Sequence, residues 1–379
     1  MAMIDVLARP VPRDLTRFGW PLVALLLGVA LRYAAYAMGH EHPGLTGFAH
    51  AMCVWDCTWY GDVALHGYQA HPENLNFGGP AGIANWAFFP LYPLLAAALH
   101  AVLPLDPPLL GAILSPLLST FAAFAAWPLF NGDRRAYALF AVWLLAGPFS
   151  FYFATLYSES LFLLLTVLAF AALERRRFVA AGLAGALLSA TRTVGVLFVF
   201  AVAIEAIRDL RRSGWATLPR RPDLVLSLLL VPLGLFAFML WLHLRTGDAL
   251  AFVHIQRGWD REAMNPAMAL WQALTSPEGK VRESRLLGVA ALAGLALCGP
   301  LAIRREWSAA VFCALTIVLA LANGVESMLR FVVALAPLGI VLCRLLAARR
   351  WLFWLSLAAF LVLDFALTGA WLGQRGVLM

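Results

Sequence analysis

The sequence predicts an all-α protein that crosses a membrane many times. Of its 379 residues, 62% are hydrophobic and only 13% are charged, whereas about 25% of the residues in a soluble domain are charged. Apolar runs of about 17 to 25 residues recur along almost the whole chain, and each can cross a hydrocarbon layer of ~30 Å as a helix. Because backbone polar groups cannot remain unpaired in lipid, these runs are predicted to be helical.

The arginine clusters predict how the helices are oriented. About eleven crossings are expected, near residues 18–38, 109–130, 136–154, 156–173, 178–191, 194–208, 223–244, 286–302, 307–323, 328–347 and 351–371. Arginines favour cytoplasmic loops, and the clusters all fall there if the N-terminus is cytoplasmic and residues 88–104 form a re-entrant or interfacial helix. A crossing at 88–104 would instead place Arg134 and Arg135 outside. We expect the first helix to be retained, because Arg32 interrupts the pattern of a cleaved signal peptide.

The whole chain, residues 1–379, is predicted to form a single integral membrane domain. Two long segments are expected outside the cytoplasm, at residues 39–108 and 246–285, and the first of them should contain short interfacial helices. In the second, Asn265 can cap a surface helix that begins at Pro266. Its apolar stripe is predicted to anchor the helix at the membrane interface and comprises Ala267, Leu270, Trp271 and Leu274.

The charge and the cysteines exclude some classes of function. The net charge of +7 comes from short arginine clusters between apolar runs, so membrane topology explains it better than a nucleic-acid partner does. The five cysteines show no metal-ligand spacing. Cys53 and Cys57 share one loop, but we expect them to be unpaired.

The first outward loop holds the densest cluster of polar and aromatic residues, from Trp55 to Tyr68. Asp56 could accept a proton from a hydroxyl as a general base, while Trp and Tyr faces stack on the C–H surfaces of a sugar ring. An alternative is that these aromatic residues only lie at the interface and that Asp56 caps a helix. Further on, Trp86 and Tyr92 lie in an aromatic stretch, and Glu159 opens a helix, where it serves either the helix dipole or a site.

Several arginines are predicted to lie on the outer side. Arg192 is isolated in about thirty otherwise apolar residues, where an ionisable group usually faces a cavity or a partner. Arg257, Arg261 and Arg330 also face outward in the predicted topology. Guanidinium groups match phosphate oxygens bidentately, so the set suggests a phosphate-linked sugar as donor. The alternative is that each arginine reaches a lipid headgroup independently.

These residues resemble the motifs of the PIG-V type mannosyltransferases, glycosyltransferase family 76 of the C-type (GT-C) superfamily. The resemblance runs in order along the chain, through Trp55-Asp56, Tyr60, Val63-Ala64 and His66-Gly67-Tyr68, then Phe88 to Pro93, Tyr157 to Phe162, Thr191-Arg192 with Gly195, Gln256-Arg257 with Trp259 and Arg261, and Arg330-Phe331. It implies a GT-C-like helical bundle, inversion at the anomeric carbon, a catalytic acidic residue at Asp56, and a polyprenyl- or dolichyl-phosphate mannose donor.

The expected function is therefore transfer of a hexose from polyprenyl phosphate to an unidentified lipid or glycan acceptor, and the resemblance implies that the hexose is mannose. The sequence is rich in Ala and Arg and poor in Lys, which suggests a bacterium, and the predicted topology then places the transfer on the periplasmic side of the inner membrane. Asp56 is the expected base, and the predicted substrate-binding residues are Trp55, Trp59, Tyr60, Asp62, His66, Tyr68, Trp86, Tyr92, Glu159, Arg192, Gln256, Arg257, Trp259, Arg261 and Arg330.

No cofactor is expected, although Asp62 could contribute to a divalent metal site. The competing class is a multi-pass transporter or lipid flippase, which would use intramembrane acids such as Glu205 and Asp364. Its signature of matched broken helices in two related halves is not evident in the sequence. A scaffold subunit without catalytic activity would explain the helices but not the polar and aromatic outer loop.

Overall fold

A computed structural model describes residues 16–72, 82–259, 261, 263–275 and 281–378. Within these ranges the chain is helical, with short 3₁₀ turns and no β-strand. The helices are α1 (Thr16–Ala37), α2 (Leu45–Met52), α3 (Asp56–His66), α4 (Leu91–Val102), α5 (Pro107–Ala126), α6 (Arg134–Ala146), α7 (Glu159–Glu174), α8 (Phe178–Thr191), α9 (Phe198–Ser213), α10 (Pro222–Leu230), α11 (Leu233–Thr246), α12 (Ala251–His254), α13 (Pro266–Thr275), α14 (Val281–Ile303), α15 (Trp307–Leu321), α16 (Met328–Ala334), α17 (Ala336–Ala347) and α18 (Arg350–Leu372).

The prediction of an all-helical membrane protein with many passes is confirmed. In the described part of the chain, 5 helical segments are long and apolar enough to span a membrane, and a sixth is possible if the bent pair α16 and α17 forms one span. The other apolar helices are shorter, such as α8 and α15. Their lengths, on the order of 20 Å at 1.5 Å per residue, are below the hydrocarbon thickness, so the number of about eleven crossings stays a prediction.

Two predicted helices differ from the structure because proline interrupts them. The helix expected at 328–347 is broken between α16 and α17, with a bend of 72°. Pro337 has no N–H to donate to the preceding turn and restricts the residue before it. The helix expected at 136–154 ends at Ala146, where Gly147 and Pro148 follow. The bend between α16 and α17 lies just after Arg330, a residue of the site described below.

The two segments that were expected to face outward, residues 39–108 and 246–285, contain the expected short helices. α4 has 12 residues, about 18 Å of helix, which is the length expected of a re-entrant or interfacial element and not of a crossing. In the second segment, Asn265 Oδ1 accepts hydrogen bonds from the backbone N–H groups of Ala267 and Met268 at 2.9 and 3.3 Å, so the predicted cap of α13 is confirmed. The buried face of α13 is Ala269 and Ala273, however, and Trp271 is 65% exposed.

Close approaches and a buried ion pair join α1 to the bundle. A Cβ atom at Gly28 would lie 1.9 Å from the backbone oxygen of Leu145 in α6, so only glycine permits this contact. Arg32 donates to Ser150 Oγ at 2.5 Å, and Ser150 donates to Asp364 Oδ1 in α18 at 2.6 Å. Asp364, for which the sequence indicated no partner, therefore lies 3.6 Å from the guanidinium of Arg32.

Glycines also bring the site-bearing helices together. A Cβ atom at Gly111 of α5 would lie 2.4 Å from the backbone nitrogen of Leu156, just before α7. A Cβ atom at Gly61 of α3 would lie 2.7 Å from Pro107 Cβ at the start of α5. Because these backbones approach so closely, the first turn of α3 lies beside the first turn of α7.

Candidate active site

A chain of ion pairs joins four residues that are far apart in sequence. Arg330 Nη1 lies 2.5 Å from Asp56 Oδ2, and Arg330 Nε lies 2.7 Å from Glu159 Oε1. Arg192 Nη1 contacts the same Glu159 oxygen at 2.8 Å. The order along this chain is Asp56, Arg330, Glu159, Arg192, so two carboxylates and two guanidinium groups alternate. We call these four residues the charged cluster.

Asp56 lies at the accessible end of the charged cluster. It is the first residue of α3, and its side chain is 26% exposed, compared with 4% for Arg330 and 0% for Glu159. Trp55, immediately before it, has φ of 50°, which is unfavourable for a bulky residue and characteristic of functional sites. The Trp55 ring packs edge-on against Trp371 of α18 at 4.7 Å, and this contact holds the strained turn.

A disulfide between Cys53 and Cys57 encloses the same turn. The expectation that these cysteines are unpaired was wrong. The short break between α2 and α3 reverses the chain and brings the two Cα atoms to 5.2 Å, a distance that sequence spacing alone does not reveal. Because disulfides persist mainly outside the cytoplasm, the pair supports the predicted extracytoplasmic position of this loop.

The disulfide can be tested by thiol counting. In protein denatured without reductant, we expect Cys298, Cys313 and Cys343 to react with maleimide and Cys53 and Cys57 to become reactive only after reduction. Since the bridge closes a very short loop, reduction should lower the free energy of unfolding by about 2 kcal/mol. In the control variant Cys53→Ser, Cys57 is already free, so four thiols should react before reduction and no further thiol should appear after it. Five reactive thiols in unreduced protein would contradict the assignment.

Glu159 connects the two arginines from the start of α7. It is the first residue of that helix, where the helix dipole favours a negative charge. Its position therefore fits both interpretations from the sequence, the helix dipole and the site. Its side chain is fully buried, and Oε1 receives both guanidinium groups. In the described part of the chain, Oε2 has no hydrogen-bond partner.

Each arginine of the charged cluster also packs on an aromatic ring. The guanidinium carbon of Arg330 lies 4.4 Å from the centre of the Tyr157 ring, and that of Arg192 lies 4.3 Å from the centre of the Phe331 ring. Such contacts stabilise a buried cation. Sequence reasoning did not assign these two roles to the rings. Each ring is nevertheless close in sequence to a charged motif residue, since Phe331 follows Arg330 and Tyr157 lies two residues before Glu159.

Other predicted aromatic residues surround the charged cluster. The Tyr60 hydroxyl donates to Ser158 Oγ at 2.7 Å. Burial, followed by the nearby Glu159, raises the pKa of Tyr60 well above its ordinary value, so this hydroxyl remains protonated. Tyr92 packs edge-on against Tyr60 at 5.4 Å. Trp59 stacks on Phe88 at 5.3 Å and meets Trp259 edge-on at 5.1 Å.

Four predicted residues lie farther along the loop and hold its backbone. Asp62 accepts a hydrogen bond from Asn85 Nδ2 at 2.8 Å and lies 3.0 Å from His66 Nδ1. The Tyr68 hydroxyl donates to the Phe88 carbonyl, and the Trp86 indole donates to the Gln69 carbonyl. Asn85 and Gln69 also exchange hydrogen bonds with each other's backbone N–H groups. Sequence reasoning assigned no role to these two amides.

The remaining predicted residues belong to the second outward segment. Arg257 is exposed, and no ion pair joins it to the charged cluster in the described part of the chain. Gln256 accepts a backbone hydrogen bond from Arg261 at 3.2 Å. This segment packs on the first loop through Trp259, which contacts Trp59, and through Phe252, which meets Phe89 edge-on at 5.3 Å. Within the residues that the structure describes, no group of three or more His, Cys, Asp or Glu could hold a metal ion.

No protein-family profile matches the sequence, and no curated protein matches it significantly. Solved structures are similar to it in fold. ArnT from Cupriavidus metallidurans bound to undecaprenyl phosphate has a TM-score of 0.55 at 14% identity, with 89% of this chain and 62% of that chain covered. The apo state of the same protein has a TM-score of 0.51 at 16% identity, with 86% and 59% covered.

The archaeal oligosaccharyltransferase of Archaeoglobus fulgidus in its apo form is similar at a TM-score of 0.45 and 13% identity, with 96% of this chain and 57% of that chain covered. The chain thus spans less than two thirds of the length of each of these proteins. At this level of identity the likeness concerns the fold. The described helices therefore adopt the same fold as ArnT, in agreement with the predicted GT-C-like bundle.

Proposed function

We propose that this protein is a glycosyltransferase with a lipid-linked donor. It transfers a hexose, which we propose is mannose, from polyprenyl phosphate to a lipid or glycan acceptor. The observation that carries the proposal is the charged cluster, in which the partly exposed Asp56 meets the buried Arg330 and Glu159 joins Arg330 to Arg192. It lies beside stacked aromatic rings in a fold shared with ArnT, which was crystallised with undecaprenyl phosphate. On this proposal the chain is a bacterial PIG-V type enzyme whose cluster faces the periplasm.

In the proposed reaction, Asp56 accepts the proton of the acceptor hydroxyl. The hydroxyl oxygen then forms a bond to the anomeric carbon, and the bond from that carbon to the phosphate oxygen breaks with inversion. The departing lipid phosphate carries the negative charge that the glycosidic bond releases. Trp59 follows Asp56 in the first turn of α3, and Trp259 meets Trp59 edge-on at 5.1 Å, so these two rings supply the aromatic faces that stack on the sugar.

The arginines supply the charge that this phosphate requires. Guanidinium groups donate bidentately to phosphate oxygens, so a bound donor would compete with Asp56 for Arg330. Once Arg330 turns to the phosphate, the carboxylate of Asp56 is free to accept a proton. Glu159, which contacts both arginines, keeps their positions while the partner of Arg330 changes. Because the guanidinium groups neutralise the charge on the leaving phosphate, the proposed chemistry does not require a metal.

The proposal is tested by incubating the purified protein with polyprenyl-phosphate [¹⁴C]mannose and a bacterial membrane-lipid extract. We expect a labelled product, no change on addition of EDTA, and no product from GDP-mannose. Polyprenyl-phosphate glucose serves as the matched donor for sugar specificity. If no polyprenyl-phosphate hexose is transferred, the enzyme proposal is wrong. Movement of an intact lipid across proteoliposomes would then favour the transporter or flippase.

A further inference from the structure

A cavity lies at the end of the bundle opposite to the charged cluster. Its volume is about 210 Å³. It is lined by the last part of α7 up to Glu174, whereas Glu159 at the start of the same helix belongs to the charged cluster. The fifteen steps between these residues correspond to about 22 Å of helix. The cavity is therefore a separate site, and its interpretation does not depend on the proposed glycosyl transfer.

Six charged side chains line the cavity, and their formal charges cancel. Three acids and three arginines line it: Glu174, Glu205, Glu306, Arg208, Arg305 and Arg344. Two ion pairs use four of them, since Arg208 contacts Glu205 at 2.7 Å and Arg344 contacts Glu306 at 2.7 Å. The second amino groups of these two arginines donate to backbone carbonyls. Their capacity to bind a ligand is thus largely taken up.

Glu174 and Arg305 remain available to bind a ligand, and they belong to different elements of the lining. In the described part of the chain, neither side chain has a hydrogen bond or ion pair to another residue, and both are exposed. Glu174 ends α7, and Arg305 lies in the turn between α14 and α15. The cavity therefore presents one carboxylate and one guanidinium group that no hydrogen bond or ion pair engages within the described residues, although Arg344 and Arg175 act on the Glu174 charge from a distance.

The rest of the lining is largely apolar and includes Val167, Phe170, Leu173 and Ile340. A volume of this size holds on the order of seven water molecules, enough for a lipid head group but not for acyl chains. A net-neutral ligand with separated charges matches the balanced wall, since a net charge would leave one group unpaired in a partly desolvated site. We propose that this cavity binds the head group of a zwitterionic phospholipid, with its ammonium at Glu174 and its phosphate at Arg305.

Native mass spectrometry of the purified protein tests the proposal with three probes: dioleoyl phosphatidylethanolamine, dioleoyl phosphatidylglycerol and dioleoylglycerol. We expect one molecule of phosphatidylethanolamine to bind preferentially. Glu174→Gln should weaken it about tenfold, as one charge-assisted hydrogen bond implies, without weakening phosphatidylglycerol. Arg305→Gln should weaken both phospholipids. The matched control is Arg212→Gln, an exposed arginine of the last turn of α9 outside the cavity, which should change neither.

Two further arms distinguish the source of the ligand and the position of the site. Free phosphoethanolamine should not displace the lipid at equal concentration, because it lacks the apolar chains. Ala309→Phe, which fills the cavity, should reduce binding, and the two exposed substitutions test the same site if this variant does not fold. Equal binding of both phospholipids to the unmodified protein would overturn the proposal. So would tight binding of free phosphoethanolamine, or insensitivity to Glu174→Gln.

Discussion

Replacing Asp56 with Asn is expected to reduce sugar transfer by about 10²- to 10⁴-fold, the range that a general base contributes. Asn has nearly the same shape and can still contact Arg330, but its amide cannot accept the proton of the acceptor hydroxyl. Arg330 also keeps its contact with Glu159 at 2.7 Å. We therefore expect the yield of folded protein and the affinity for undecaprenyl phosphate to change little, while kcat falls.

The measurement is the initial rate of transfer from polyprenyl-phosphate mannose, together with thermal unfolding in detergent. The matched control is Asp106→Asn, an acid in the same segment that caps α5 by accepting from the Leu109 N–H at 3.3 Å. Since Asn can cap equally well, this variant should keep its activity. Unchanged turnover in Asp56→Asn would falsify the base assignment. A loss of donor affinity equal to the loss of rate would instead make Asp56 a binding residue.

Replacing Arg330 with Met is expected to cost both stability and activity. Its guanidinium is shared by Asp56 and Glu159, and breaking a buried ion pair by removing one partner costs about 3–5 kcal/mol. We expect the lower end of that range, because Glu159 keeps Arg192 and Asp56 is partly exposed. Arg330→Lys should recover only part of the loss, since one ammonium group cannot reproduce the two contacts made by Nε and Nη1.

Thermal unfolding in detergent and the transfer assay separate these two effects. Arg257→Met is the control for stability. Because Arg257 is exposed, this substitution should lower the melting temperature little. Adding Glu159→Gln to Arg330→Met should restore part of the lost stability, since it removes a buried charge that has lost one of its partners. It should not restore transfer. A melting temperature for Arg330→Met equal to that of Arg257→Met would show that the ion pairs contribute nothing to the fold.

The breaks in the helices show where local sequence was sufficient and where it was not. Asn265 followed by Pro266 is enough to place the start of α13, because capping depends only on neighbouring residues. Pro337 is equally local, yet the predicted helix ran through it, because a long apolar run outweighed one proline. The pairing of Cys53 with Cys57 depended on the angle between α2 and α3, which spacing does not specify.

What the sequence determined by itself is the class of the molecule and the chemical groups of its site. Composition and apolar run length require a helical membrane protein, since lipid leaves backbone polar groups no other solution. The sequence also identified the candidate charges: Asp56 from its polar and aromatic loop, Glu159 from its place at a helix start, Arg192 from its isolation in an apolar run, and Arg330 from the predicted topology. The cost of an isolated charge in an apolar run is a property of that residue and of its neighbours.

Only the tertiary structure decided which of these charges meet. Asp56 and Arg330 are separated by 274 positions in the chain, and nothing local distinguishes Arg330 from Arg257. The bend after α16 and the glycine contacts of α3 and α5 bring Asp56 and Arg330 together, whereas Arg257 remains exposed. Ion pairing requires an approach within a few ångströms, and that distance is set by how helices pack against one another, not by where the charges occur in the chain.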